Sequence, residues 1–166
     1  QLLFHYFKQG FSQVTNPPID AIREECVIST VSWLGEKTHP LEKFNNQKQK
    51  LKIQHPFLTF SQFRTLTNSR WNAVKIDILF PAGSGENGLA SALDGIFSKV
   101  DQAIQTGHEL IILSDQKVDE RHAAIPSLLA AASGHHHLIK NGNRSKASII
   151  GDTGEARDSH HMAMLL

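Results

Sequence analysis

The feature that most constrains this sequence is a strand, a glycine-rich turn, a helix and a second strand, which follow one another between residues 72 and 115. The first strand, residues 73–80, is rich in β-branched side chains, and proline and glycine end it. Apolar residues then recur at steps of three and four across residues 89–104, which indicates an amphipathic helix that Gly107 stops. Residues 110–113 are an apolar run, typical of a strand buried on both faces. The segment therefore predicts a βαβ unit with parallel strands.

The rest of the chain continues this alternation of strands and helices. After a polar stretch at residues 116–124, which is interpreted as a loop, a helical pattern covers residues 128–139 and a short strand covers residues 147–150. Asp158 is placed to cap a final helix, and a short helix is predicted near residues 61–66. Such alternation predicts the α/β class, with a parallel sheet and helices packed on it.

The composition predicts one globular domain over residues 1–166. Hydrophobic residues make up 40% of the chain and charged residues 20%, and the polar stretch at residues 36–50 is interpreted as a surface excursion. The net charge of +1 argues against a nucleic-acid partner, and no apolar run reaches the roughly 18 residues of a membrane span. Cys26 is the single cysteine, so an internal disulfide is excluded, and we interpret it as a buried small hydrophobic residue. The chain begins without methionine and ends within an apolar run, so we expect both ends to be cut from a longer polypeptide.

The glycine-rich turn matches a dinucleotide-binding fingerprint. Gly83, Gly85 and Gly88 have the Gly-x-Gly-x-x-Gly spacing between a strand and a helix, and Asp115 could then bind a ribose. However, residues 81–82 separate the strand from the first glycine, and Asp115 lies further along than the roughly 20 residues that the fingerprint expects. The turn is therefore interpreted as a flexible strand-to-helix loop, and a stand-alone NAD-type binding domain stays the alternative function.

Polar side chains concentrate in the loop before the last helix. Within ten residues the loop contains Asp152, Glu155, Arg157, Asp158, His160 and His161. Carboxylates, a guanidinium and imidazoles could perform acid–base chemistry or bind an anion. The other interpretation is a loop held together by its own ion pairs and helix caps.

The histidine runs at residues 135–137 and 160–161 invite a metal interpretation. Neighbouring residues on a helix point about 100° apart, so consecutive histidines do not converge on one ion as residues four apart do. A site that joins one histidine from each run stays open, although no cysteine or Glu-x-x-His spacing supports it. No Gly-x-Ser-x-Gly turn is present either. From the residues alone, no catalytic set is predicted.

Several segments resemble the central domain of glutamate synthase large subunits. Residues 11–25 contain Gln-Val-Thr-Asn-Pro-Pro-Ile-Asp, which is characteristic of that family, and residues 153–161 read Thr-Gly-Glu-Ala-Arg-Asp-Ser-His-His. Residues 109–115, 125–130 and 136–139 are also similar, so the resemblance covers nearly the whole chain.

The resemblance implies a function for the complete enzyme. Glutamate synthases convert glutamine, 2-oxoglutarate and a reductant into two glutamates. An amidotransferase domain releases ammonia, which travels through a tunnel to a barrel domain that holds FMN and an iron–sulfur cluster. This chain resembles the domain between them, an α/β unit that is partly (β/α)-barrel-like and truncated at both ends. The resemblance implies that it binds no FMN, cluster or other metal and has no catalytic residue or turnover of its own.

The resemblance also implies partners and a candidate surface. The partners are the amidotransferase and FMN domains of the same polypeptide, and the location is the bacterial cytoplasm or the plastid stroma. The loop residues Thr153, Gly154, Glu155, Arg157 and His160 are the candidates for the tunnel wall or a domain interface. The electron donor, ferredoxin or pyridine nucleotide, is left open, as is self-association of the chain.

The sequence also departs from the family pattern in the polar stretch at residues 116–124. At residues 116–117, Gln-Lys replaces the arginine that usually follows Ser-Asp. The contacts of that loop are therefore expected to differ from those of the family.

Overall fold

The computed structural model describes residues 2–12, 19–37, 50–67 and 71–166. A 3₁₀ helix at Leu3–Phe7 precedes α1 (Glu24–Val27), β1 (Ser32–Leu34), β2 (Leu51–Ile53), α2 (Phe60–Thr67), β3 (Ala73–Asp77), β4 (Leu79–Pro81), α3 (Gly85–Gln105), β5 (Leu110–Ser114), β6 (His122–Ala124), α4 (Ser127–Lys140), β7 (Ser148–Asp152) and α5 (Ser159–Leu165). Most of the predicted surface excursion and the Asn-Pro-Pro segment lie outside the described residues.

A parallel sheet forms the centre of the fold. Its strands have the order β3-β5-β7, which is also their order in the sequence. In register, Asp77 is paired with Ser114, and Ser114 is paired with Asp152, so all three strands end at the same level. The prediction of a parallel α/β sheet is confirmed.

Helices α3 and α4 pack on the same face of this sheet. Ile96 and Val100 of α3 and Leu138 of α4 share one buried cluster with Ile111 and Leu113 of the central strand. Sequential strand order with both helices on one face is the winding of a (β/α) barrel, whereas a doubly wound sheet reverses its order and uses both faces. The described strands do not close a barrel, which agrees with the expected partial architecture.

The long helix confirms the predicted amphipathic pattern and its stop. After the last turn of α3, Gly107 has a φ of +80°, and its N–H donates to the carbonyl of Ile104 at 3.0 Å. The N–H of His108 donates to the carbonyl of Ala103 at 2.9 Å. This left-handed residue and pair of bonds end the helix as a Schellman motif does.

The predicted strand at residues 73–80 is two strands. Residue 78 separates β3, which belongs to the parallel sheet, from β4, which pairs antiparallel with β6. The prediction of a loop throughout residues 116–124 is therefore wrong at His122–Ala124. Backbone pairing with a distant partner extends these polar residues, and no apolar alternation marks them in the sequence.

In the first third of the chain, the predicted burial of Cys26 is not found. Phe4 is buried, but Ile22 is 94% exposed and the thiol-bearing Cys26 is exposed. The prediction that Cys26 is a buried hydrophobic residue is wrong, because no described element covers the four-residue helix α1. None of the described helices is both long and apolar enough to cross a membrane.

Candidate functional site

The carboxyl ends of the three parallel strands bring a row of polar side chains together. Asp77, Ser114 and Asp152 lie side by side on one face, because they occupy paired positions in the register. The Ser114 hydroxyl is fully buried and donates to Oδ2 of Asp152 at 2.9 Å. Lys75, one layer below, places its Nζ 3.1 Å from the same carboxylate oxygen.

The loop after β5 completes this network. Gln116 accepts from Lys75 Nζ at 2.8 Å through Oε1 and donates to Asp152 Oδ1 at 3.1 Å through Nε2. Lys117 Nζ donates to Asp77 Oδ2 at 2.7 Å. The Gln-Lys pair that departs from the family pattern therefore divides its contacts between two carboxylates. Asp77 and Asp152 each have a cationic partner, so the row is an ion-paired network.

The loop between β7 and α5 is attached to the rest of the fold at two points. Thr153 donates its hydroxyl hydrogen bond to Asp115, and the same carboxylate oxygen accepts from the Gly154 N–H at 3.3 Å. Glu155 Oε2 accepts from the N–H of Ser127 at 2.6 Å and from its hydroxyl at 2.7 Å. Ser127 is the first residue of α4, so the Glu155 charge lies at the positive end of that helix.

The two histidines after the loop attach it to the start of the chain. His160 donates from Nε2 to the carbonyl of Phe4 at 3.0 Å. His161 is 4% exposed and stacks on the Phe4 ring at 4.5 Å, and its Nδ1 accepts from the Arg157 N–H at 3.3 Å. His161 Nε2 has no hydrogen-bond partner and lies 3.6 Å from Asp158 Oδ2.

Asp158 caps α5 as the sequence predicts. Its Oδ1 accepts from the His161 N–H at 2.9 Å. This backbone hydrogen bond is the main reason why the pKa of Asp158 is lower than that of an ordinary aspartate.

The structure thus brings the five predicted loop residues together but gives them different roles. Thr153 and Glu155 are partly buried and point into the fold, and His160 contacts the first helix. Gly154 and Arg157 are exposed, and the Arg157 side chain donates from Nε to the carbonyl of Gly154 at 3.3 Å. The Asp158 cap is a contact within this segment, as one interpretation expected, whereas Thr153, Glu155 and His160 bond to Asp115, Ser127 and Phe4 outside it.

Sequence reasoning missed the partners of this loop and of the polar row. Lys75 and Asp77 alternate with apolar residues along β3, which is the signal that could have placed them on one face. No local pattern pairs Ser127 with a carboxylate 28 residues away.

The three consecutive histidines point to different partners. His137 bonds Asp101 Oδ2 at 2.8 Å and stacks on Phe97 with ring centroids 4.6 Å apart. His135 Nδ1 accepts from Arg144, and His136 meets the His135 ring edge-on. Within the described ranges, no group of three or more histidine, cysteine, aspartate or glutamate residues could hold a metal ion.

The glycine turn does not have the geometry of a dinucleotide site. The strand before it, β4, has left the parallel sheet, so no parallel strand delivers Gly83 directly to the helix N-terminus. A Cβ on Gly88 would meet Oγ of Ser84 at 1.6 Å. The space that a pyrophosphate would need beside this glycine is therefore filled by the chain's own serine.

Comparison with known proteins now identifies the family. The family model described as the glutamate synthase central domain matches residues 1–166. The chain belongs to the glutamate synthase central domain family. It is 44% identical over its full length to the glutamate synthase [NADPH] large chain of Bacillus subtilis, and 39% identical over 99% of its length to the glutamate synthase [NADH] of Saccharomyces cerevisiae.

The central domain is shared across synthases named for different electron donors. A ferredoxin-dependent glutamate synthase of Synechocystis is 35% identical over the full chain. The chain covers 11% of the Bacillus and Synechocystis proteins and 8% of the yeast protein, so it spans about a tenth of the relatives that it matches. Bacterial and chloroplastic proteins are both among these relatives.

Proposed function

We propose that this central domain is a non-catalytic linking domain of a glutamate synthase. It connects the amidotransferase domain to the FMN domain of the same polypeptide and contributes to the wall of the ammonia tunnel. The complete enzyme makes two glutamates from glutamine, 2-oxoglutarate and a reductant, in the cytoplasm of a bacterium or in the stroma of a plastid.

The observation that carries this proposal is the construction of residues 153–160, called the linking loop here. Its inward side chains are fixed to Asp115, Ser127 and Phe4, so its backbone is pre-organised before any partner binds. Gly154 and Arg157 remain exposed on its outer surface. A rigid loop with an exposed backbone and a guanidinium suits contact with a neighbouring domain, because little conformational entropy is lost on docking.

The chemistry of the described residues also supports a structural role. Asp152, Asp77 and Glu155 accept hydrogen bonds from a hydroxyl, a lysine and a backbone N–H, which supports a role in holding this end of the sheet together. One exposed cysteine cannot supply the several thiolates that hold an iron–sulfur cluster. In this proposal the cluster, and with it FMN, belongs to other domains of the enzyme.

The proposal is tested in the full-length synthase with Arg157→Ala. Glutamine-dependent glutamate synthesis should fall about three- to tenfold, because a displaced interface loop loses ammonia between the two centres. Synthesis from added ammonium should be unchanged, since that reaction does not need the transfer. Arg121→Ala, which removes another exposed arginine at a loop outside the linking loop, is the matched control.

Two results would contradict this function. An equal loss of the glutamine- and ammonium-dependent rates would show that the loop does not serve transfer between sites. Glutaminase activity or 2-oxoglutarate-dependent NADPH oxidation by the purified 166-residue chain would show that the domain is catalytic. Saturable NADH binding with micromolar affinity would instead favour the nucleotide-binding alternative.

A further inference from the structure

A group of basic side chains lies at the end of the sheet opposite to the linking loop, near the connection between α4 and β7. It consists of Lys37, His135, His136 and Arg144, called the basic cluster here. Lys37 reaches this place because its N–H donates to the carbonyl of Ser145 at 2.7 Å. The cluster therefore joins the segment after β1, helix α4 and the turn before β7.

The guanidinium of Arg144 has a fixed orientation. Its Nε donates to Nδ1 of His135 at 2.8 Å, and its Nη1 donates to the carbonyl of Ala147 at 3.0 Å. Because Nδ1 of His135 accepts this bond, the imidazole is neutral and carries its proton on Nε2. Neither bond uses Nη2 of Arg144, so this nitrogen can donate to an acceptor outside the cluster.

The groups whose charge shifts the pKa of His135 are all basic. Burial lowers the pKa of His135, and the charges of Arg144, His136 and Lys37 lower it further. Burial alone lowers the pKa of Arg144. Neither Lys37 nor Arg144 forms an ion pair within 4 Å among the described residues, in contrast to the lysines at the other end of the sheet.

Elsewhere the same domain pairs lysines with carboxylates. Lys75 lies 3.1 Å from Asp152, and Lys117 lies 2.7 Å from Asp77. A half-buried guanidinium is favourable when a carboxylate accepts from its planar fork, and unfavourable when the charge is desolvated without one. The basic cluster is therefore complementary to a carboxylate that the described residues do not supply.

We propose that the basic cluster docks an acidic segment of another domain of the same polypeptide, with a carboxylate bound between Arg144 and Lys37. This inference rests on the proposed linking function. The relatives are about ten times longer than this chain, so acidic side chains of the attached domains are present at high effective concentration. A covalently attached carboxylate is favoured over a free anion for that reason.

Zero-length carbodiimide coupling of the full-length synthase tests the proposal, because this reagent joins an amine only to a carboxylate in ion-pair contact. We expect peptide mapping to find the Lys37 amine linked to an aspartate or glutamate outside residues 1–166. The yield should fall several-fold when salt is raised from about 0.05 to about 0.5 M before coupling, since salt screens the pair. Lys37→Arg keeps the charge, removes the amine and should abolish the link.

The Lys117–Asp77 pair is the internal control, because these atoms are in contact at 2.7 Å and partly exposed. A Lys37 link to Glu36 or to any other carboxylate within residues 1–166 would overturn the proposal. So would the absence of a Lys37 link when the Lys117–Asp77 link is recovered. These outcomes are independent of the glutamine-to-ammonium rate ratio, so failure of docking here is distinguishable from failure of the proposed function.

Discussion

The bond between Glu155 and Ser127 should hold the linking loop on the helix that follows the central strand. The residue before α4 is Pro126, which offers no side-chain acceptor for the free N–H groups of the first turn. Glu155 supplies that acceptor from a distance of 28 residues in the sequence. Ser127 is 5% exposed, so water cannot readily replace the carboxylate. Glu155→Gln should therefore loosen both the loop and the helix end.

The size of this effect follows from the two hydrogen bonds. Bonds to a charged acceptor contribute about 1.5–3 kcal/mol and neutral ones about 0.5–1.5 kcal/mol, and a charge at a helix N-terminus adds about 0.3–1 kcal/mol. Glu155→Gln keeps one carbonyl oxygen but loses the charge, so we expect a loss of about 1–2 kcal/mol in the free energy of unfolding. Glu155→Ala leaves the Ser127 N–H without its partner, and we expect a loss of about 2–3 kcal/mol.

Urea denaturation of the 166-residue chain measures both losses. Glu120→Gln is the matched control, because Glu120 is exposed in the loop after β5. A double-mutant cycle with Ser127→Ala should give a coupling energy of about 1 kcal/mol for the hydroxyl bond. If Glu155→Gln and Glu120→Gln agree within about 0.3 kcal/mol, and the coupling is zero, the assignment of Glu155 as an anchor is refuted.

Two further predictions concern α3 and the basic cluster. Gly95→Ala should stabilise the chain by about 0.5–1 kcal/mol, because this exposed helical glycine has open space for a Cβ. Gly88→Ala should destabilise the chain, because the new Cβ overlaps Ser84. Thermal melts that rank the two variants the other way would be inconsistent with this packing. The pKa of His135 in the folded chain should lie below the ordinary value of about 6.5. As pH falls, the unfolded chain therefore binds this proton at a higher pH than the folded chain does. The contribution of neutral His135 to stability is then lost as pH falls from about 6.5 through the folded pKa. An NMR titration checks the lowered pKa, and a midpoint at or above the ordinary value would contradict it.

The parts of the fold that could be predicted are those written in short stretches of sequence. The βαβ unit, the stop of α3 at Gly107 and the Asp158 cap depend on residues within a few positions of each other, and all three are confirmed. The family resemblance was likewise carried by short continuous segments and is shown by the comparisons. The prediction that Cys26 is buried was wrong, because the local sequence does not show whether another element covers a residue.

The sequence by itself determined the α/β class, the parallel strands and the family, since apolar periodicity, glycine and capping residues act locally. Only the tertiary structure decided which polar groups meet. The Ser114 hydroxyl and the Asp152 carboxylate are 38 residues apart in the sequence, yet they lie 2.9 Å apart because two parallel strands end at the same level. The pairing of β4 with β6 and the contact of Glu155 with Ser127 have the same origin. Hydrogen bonds between distant residues depend on strand register and helix placement, which are set by the packing of the whole core.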